Sequence, residues 1–86
     1  MIKPQKNSQL TGMLENPEII VGRNIQYRVK EENDNTEYWS HGKILNISKM
    51  NKNHKRTVFT VKFSDEDELW DLPVLADFDK CDVLFL

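Results

Sequence analysis

The sequence predicts an all-β fold: one small, five-stranded, strongly bent antiparallel barrel over residues 19–86, behind a disordered leader over residues 1–18. Three observations carry that reading. Apolar side chains alternate with polar ones at period two in successive short stretches, the signature of half-buried strands. Those stretches follow one another across brief polar turns, a spacing that suits a curled barrel better than a two-sheet sandwich. A unit this short also buries only about 60% of its unfolded surface, which demands a compact architecture and leaves little room for an enclosed cleft.

The elements follow in chain order. "MIKPQKNSQLTGMLENP" reads as a poorly ordered leader. Gly22 then opens a strand in which Ile25, Tyr27 and Val29 alternate with Asn24, Gln26 and Arg28. "EENDNTE" has no apolar residue and is rich in Asn and Asp, so it predicts the turn of a hairpin. "YWSHGKILNIS" is the returning strand, with a bulge or sharp bend expected at Gly42. Beyond the polar, basic loop "KMNKNHKR", the stretch "TVFTVKF" sets Thr57, Phe59, Val61 and Phe63 on one face. "SDEDE" turns the chain into a short strand, "LWDL", which Pro73 ends because it lacks a backbone donor. "VLADFDK" predicts one helical turn and "CDVLFL" the last strand.

Composition narrows the function classes. With 38% hydrophobic and 30% charged residues, the chain suits a globular domain, and no apolar run approaches the roughly 20 residues of a membrane span. No secretory or organelle-import pattern opens it, so a cytoplasmic or nuclear site of action is expected. Cys81 is the only cysteine, which excludes an internal disulfide and points to a buried, inert thiol. His41 and His54 have no motif linking them to it. Without paired carboxylates on a cleft, a phosphate-cradling glycine run or metal-ligand spacing, the expectation is a non-enzymatic protein with no cofactor and no metal. The run "DEDE" lacks the mid-loop glycine and terminal glutamate of a calcium loop. "NIS" at Asn46 matches a glycosylation acceptor in the wrong compartment and is discounted.

The net charge of −2 conceals an asymmetry: residues 1–56 carry ten basic and six acidic side chains, and residues 57–86 carry two and eight. That distribution disfavours a dedicated nucleic-acid domain and fits a cationic partner. Lys52, Lys55 and Arg56 form a small basic patch. It reads as a soluble loop or as a weak, salt-sensitive nucleic-acid contact.

Taken together, "IVGRNIQYRVKEENDNTEYWSHGKIL" and "VFTVKFSDEDELWDLPVLADFDKCDVLFL" resemble one repeat of the spindlin (Spin/Ssty) family of Tudor-like, SH3-like barrels, over about residues 20–86. The shared order is "VGR", "KE", a Trp ahead of Gly42, "VKF", an acidic turn closed by Trp70, and "DFDKCDV". Members carry three such repeats, of which one typically reads methylated lysine on histone tails through an aromatic cage. The resemblance therefore implies a nuclear chromatin reader, part of a larger protein or complex, whose partner is a methylated histone tail. By position it implies cage walls at Trp39, Phe63 and Trp70. The fourth wall falls on Val29, which is not aromatic; Tyr27 shares its face about 6.6 Å along the strand. The family places one residue between this Trp and the Gly, whereas Ser40 and His41 intervene here. Asp77 and Asp82 match acids that help hold the peptide in reading members.

Such a cage has a physical logic. A trimethylammonium group has no hydrogen-bond donor, so it is gripped by ring faces, each worth about 0.5–2 kcal/mol. Asp65, Glu66, Asp67 and Glu68, with Asp77 and Asp82, would then form a negative rim that attracts a Lys/Arg-rich tail together with a nearby arginine. Taken singly, each residue has a plainer reading. Phe63, Trp70, Trp39 and Tyr27 serve equally as core aromatics, and the acidic run serves as a solvated turn. A barrel that binds proteins without a working cage, or that binds nucleic acid weakly, is the alternative function.

Overall fold

The computed structural model describes residues 6–31, 33 and 36–86. Its strands are β1 (Asn24–Lys30), β2 (Glu37–Lys49), β3 (Val58–Phe63), β4 (Leu69–Leu72) and β5 (Val83–Phe85). They form one antiparallel, barrel-like open sheet in the order β4-β3-β2-β1-β5, so the all-β, five-stranded class is as the sequence predicts. A short helix, α2 (Val74–Asp79), occupies the stretch where a helical turn is expected, and the backbone N–H of Glu31 reaches the carbonyl of Thr36 at 2.8 Å across the first hairpin.

β2 organises the sheet. Its first half, Glu37–Lys43, pairs with β1, and its second half, from Gly42 to Lys49, pairs with β3. The bulge expected at Gly42 is not there: Gly42 sits in regular register against both Ile25 and Phe63. The register instead shifts between Ile44 and Asn46 and again between Ile47 and Lys49, so Leu45 and Ser48 are the extra residues that bend the strand. Glycine is required at 42 for another reason. A Cβ built there would lie 2.9 Å from Cδ1 of Phe63, whose ring lies across the bare backbone.

The leader expected over residues 1–18 is corrected from residue 6 onward; residues 1–5 lie outside the described residues. Lys6–Glu15 form a helix, α1, and Pro17–Ile20 a 3-10 turn. Leu10, Met13 and Leu14 recur at the i, i+3, i+4 spacing of one helix face, and Leu10, Met13, Pro17 and Ile20 are buried. Burying a Leu or Met contributes about 1.5–3 kcal/mol, which outweighs the poor intrinsic helicity of a stretch containing Gly12. His54 holds the helix end through Nδ1 to the carbonyl of Leu14.

Cys81 also departs from expectation, being exposed rather than buried. It takes φ 68, and the bonds Asp82 N to Asp77 O and Cys81 N to Phe78 O close the end of α2 as a Schellman motif with Cys81 in the left-handed position. The core lies on the inner face of the sheet, where Ile25, Ile44, Phe59 and Val61 meet Val74 and Leu75 of α2. Among the described residues no helix is long and apolar enough to cross a membrane.

Candidate functional site

Strand register decides which side chains can meet. The pairs Val29–Tyr38, Tyr27–Ser40, Gly42–Phe63 and Val61–Trp70 all project from the inner face, because directly opposed residues share a side. Buried Ile25, Ile44 and Val61 fill one end of that face. Toward the other end, β2 offers the small Ser40 between larger neighbours, and a recess of about 270 Å³ opens there. Tyr27, Val29, Tyr38, Ser40, Phe63, Glu66, Trp70 and Leu72 line it.

Tyr27 and Phe63 make the floor, each 7% exposed, their rings meeting edge-on at 5.9 Å between centroids. Tyr38 and Trp70 stand at the sides with 43% and 44% of their surface exposed, an uncommon position for two such large rings on neighbouring parts of a small domain. Two carboxylates fix the geometry. The Tyr27 hydroxyl donates to Asp77 Oδ2 at 2.5 Å, and the Trp70 indole Nε1–H donates to Glu66 Oε2 at 2.5 Å. Burial pushes the Tyr27 hydroxyl well above the ordinary tyrosine range, and its bond to Asp77 and the charges of Asp77 and Asp82 push in the same direction. Tyr27 is therefore a neutral donor at physiological pH. Lys62 Nζ ties down the acidic turn through the carbonyls of Phe63, at 3.0 Å, and Glu66.

Of the expected cage residues, Tyr27, Phe63 and Trp70 come together and Trp39 does not. Trp39 pairs with Arg28 on the outer face, with the guanidinium carbon 5.8 Å from its ring centroid. The reason is parity: Gly42 faces inward, so residues an even number of positions away share its side and Trp39, three away, points outward. The wall on β2 is Tyr38, which the sequence reading missed although the same counting from Gly42 would have found it.

The acidic residues divide in the same way. Asp77 is held by Tyr27, and Asp82 accepts Arg28 Nη2 at 2.7 Å and Nε at 3.0 Å, a bond that raises the Arg28 pKa. Asp77 steadies the floor of the recess through Tyr27, whereas Asp82 is bound to Arg28, whose side chain leaves the opposite face, and neither lines the recess. Asp65, Glu66, Asp67 and Glu68 are exposed on the β3–β4 turn, and Glu66 alone of them lines the recess. Of the basic patch, Lys55 pairs with Asp79 at 2.6 Å, while Lys52 and Arg56 are exposed. His41 meets Ser64 through Nδ1 at 3.1 Å. Among the described residues no group of three His, Cys, Asp or Glu side chains is placed to hold a metal ion.

The recess is smaller than the roughly 300–1,000 Å³ clefts that enclose drug-sized molecules or cofactors. Its size and open mouth suit one side chain presented by another polypeptide, and its ring faces with one carboxylate suit a cation of low hydration. No model of a known protein family matches the chain, and a search of curated proteins returns no match.

Proposed function

We propose that this chain is a non-enzymatic, Tudor-like module of the Spin/Ssty type that reads a methylated lysine in a basic histone tail, and so acts in the nucleus on chromatin. The observation that supports it most is the recess with four aromatic residues in its lining and an acidic turn at its mouth. Four ring contacts of about 0.5–2 kcal/mol each total about 2–8 kcal/mol before the entropy lost on association is subtracted, so an isolated methylammonium group binds weakly. The flanking peptide supplies the remainder, and Asp65, Asp67 and Glu68 favour peptides rich in Lys and Arg by speeding encounter. Trp39, stacked with Arg28 outside the recess, has no part in gripping the methyl groups.

The test is a titration of the domain with matched peptides bearing an unmodified or a methylated lysine, followed through Trp fluorescence. Methylated peptides bind more tightly and Trp70→Ala removes the difference. Equal or absent binding to every matched pair removes the proposal.

A second reading is a protein-interaction barrel without a cage function. It is favoured by Val29 and Leu72, which add aliphatic surface to the lining beside the rings and extend it beyond what one methylated side chain needs. In that case Val29→Ser weakens partner binding as much as Trp70→Ala does, with no dependence on methylation. A nucleic-acid function draws less support, since Lys55 is already engaged by Asp79. Steep salt-dependent DNA binding that is lost on neutralising Lys52, Lys55 and Arg56 would restore it.

A further inference from the structure

Resting on that reading, we infer that Glu66 makes the recess selective for lysine side chains carrying one or two methyl groups, over both the trimethylated and the unmodified forms. The argument begins with what the lining offers a cation besides rings. Tyr27, Tyr38 and Ser40 offer only neutral hydroxyl oxygens, and Glu66 is the one lining residue with a carboxylate. That carboxylate is held against the wall itself, its Oε2 accepting the indole N–H of Trp70. A carboxylate has about four lone-pair positions, so one indole leaves acceptor capacity for a ligand. Ring face and acceptor are thus presented to the same guest.

The three classes of guest then differ by their N–H groups. A dimethylated or monomethylated ammonium retains one or two donors, and an N–H to a carboxylate makes a charge-assisted bond of about 2.7–2.9 Å. A trimethylated one has none. Its third methyl carbon reaches the oxygen only to about 3.3–3.6 Å, well beyond an N–H···O bond, which keeps the cation away from the acid and crowds the indole that the acid anchors. Unmodified lysine has three donors, of which the carboxylate serves one or two, and the remainder lose water against aromatic faces. The optimum therefore falls at intermediate methylation.

The experiment is isothermal titration of the whole chain with one short Lys/Arg-rich peptide whose central lysine is prepared in the un-, mono-, di- and trimethylated forms. The dimethylated peptide is expected to bind at least about tenfold more tightly than the trimethylated one, the equivalent of one charge-assisted hydrogen bond. Glu66→Gln brings that ratio to within about threefold, and Glu66→Asp, which keeps the charge but shortens its reach, also lowers it; the second variant reads the same effect if the first unfolds. Asp65→Asn combined with Asp67→Asn weakens every form and leaves the ratio unchanged. If trimethylated peptide binds as tightly as dimethylated, or the ratio survives both Glu66 variants, the selectivity role is overturned while methyl reading stands. If no methylated form is distinguished from the unmodified one, the reading beneath it fails as well.

Discussion

Gly42→Ala probes the packing that seats Phe63 at the floor of the recess. The added Cβ lies 2.9 Å from Cδ1 and 3.2 Å from Cε1 of Phe63, and 3.2 Å from the carbonyl oxygen of Lys62. Carbon atoms rest at about 3.5–4.0 Å, so the ring must retreat by roughly half an ångström or more. It has little space, being buried and set edge-on against Tyr27, which Asp77 holds in place. Overpacking of this kind costs about 1–3 kcal/mol, offset by about 0.4–1 kcal/mol from a stiffer unfolded chain. At the midpoints of these ranges the net loss is about 1.3 kcal/mol, and at about 4–8 °C per kcal/mol for a domain near this size, Tm falls by roughly 5–10 °C in a circular-dichroism melt. The same displaced ring occupies the floor of the recess, so the variant also loses whatever methyl-dependent binding the wild type has. An unchanged or raised Tm would refute the idea that Gly42 exists for the sake of Phe63.

Gly12→Ala has the opposite sign: a Cβ there meets nothing within 4 Å inside α1, so the variant gains about 0.5–1 kcal/mol in urea unfolding, and a loss would mean that α1 is not helical at that position. Cys81→Gly relieves the left-handed conformation at φ 68 and stabilises by about 1 kcal/mol in the same assay, a prediction that destabilisation contradicts. Tyr27→Phe removes the donor to Asp77 and costs about 1–3 kcal/mol at neutral pH. The Tyr27 pKa is raised on folding, so the stability it confers is complete below about pH 10, where the unfolded chain also keeps the proton. Above about pH 10 the wild type loses up to about 1.4 kcal/mol per pH unit through this residue and the variant does not. The gap between them therefore narrows from pH 9 to 11, and a constant gap contradicts the burial of the hydroxyl.

Much of the sheet was legible because its signal is local. Alternation located β1 and β3, Asn- and Asp-rich stretches located the first turn, and Pro73 marked the end of β4. What escaped depends on longer-range facts. The bends at Leu45 and Ser48 leave no residue signature, since a bulge needs only one extra residue and not a particular one. Gly42, which looked like the bend, answers to a ring twenty-one positions away. Helix α1 carries a signal in Leu10, Met13 and Leu14, but three apolar positions in a polar stretch define a helix face only through the distant core residues they pack against. Cysteine is not a usual left-handed residue, so nothing in the sequence announced the motif at Cys81. For the site, the residue types were legible and their direction was not: the choice between Tyr38 and Trp39 turns on strand parity, and one position exchanges the inner face for the outer.

That exchange gives the most direct measurement. Tyr38→Ala and Trp39→Ala remove adjacent aromatic side chains from opposite faces of the same strand, and each is titrated with a methylated peptide and its unmodified counterpart. Loss of the methyl preference in the Tyr38 variant, with the preference intact in the Trp39 variant, is what a site on the inner face predicts. The reverse pattern, or a preference untouched by either change, contradicts it.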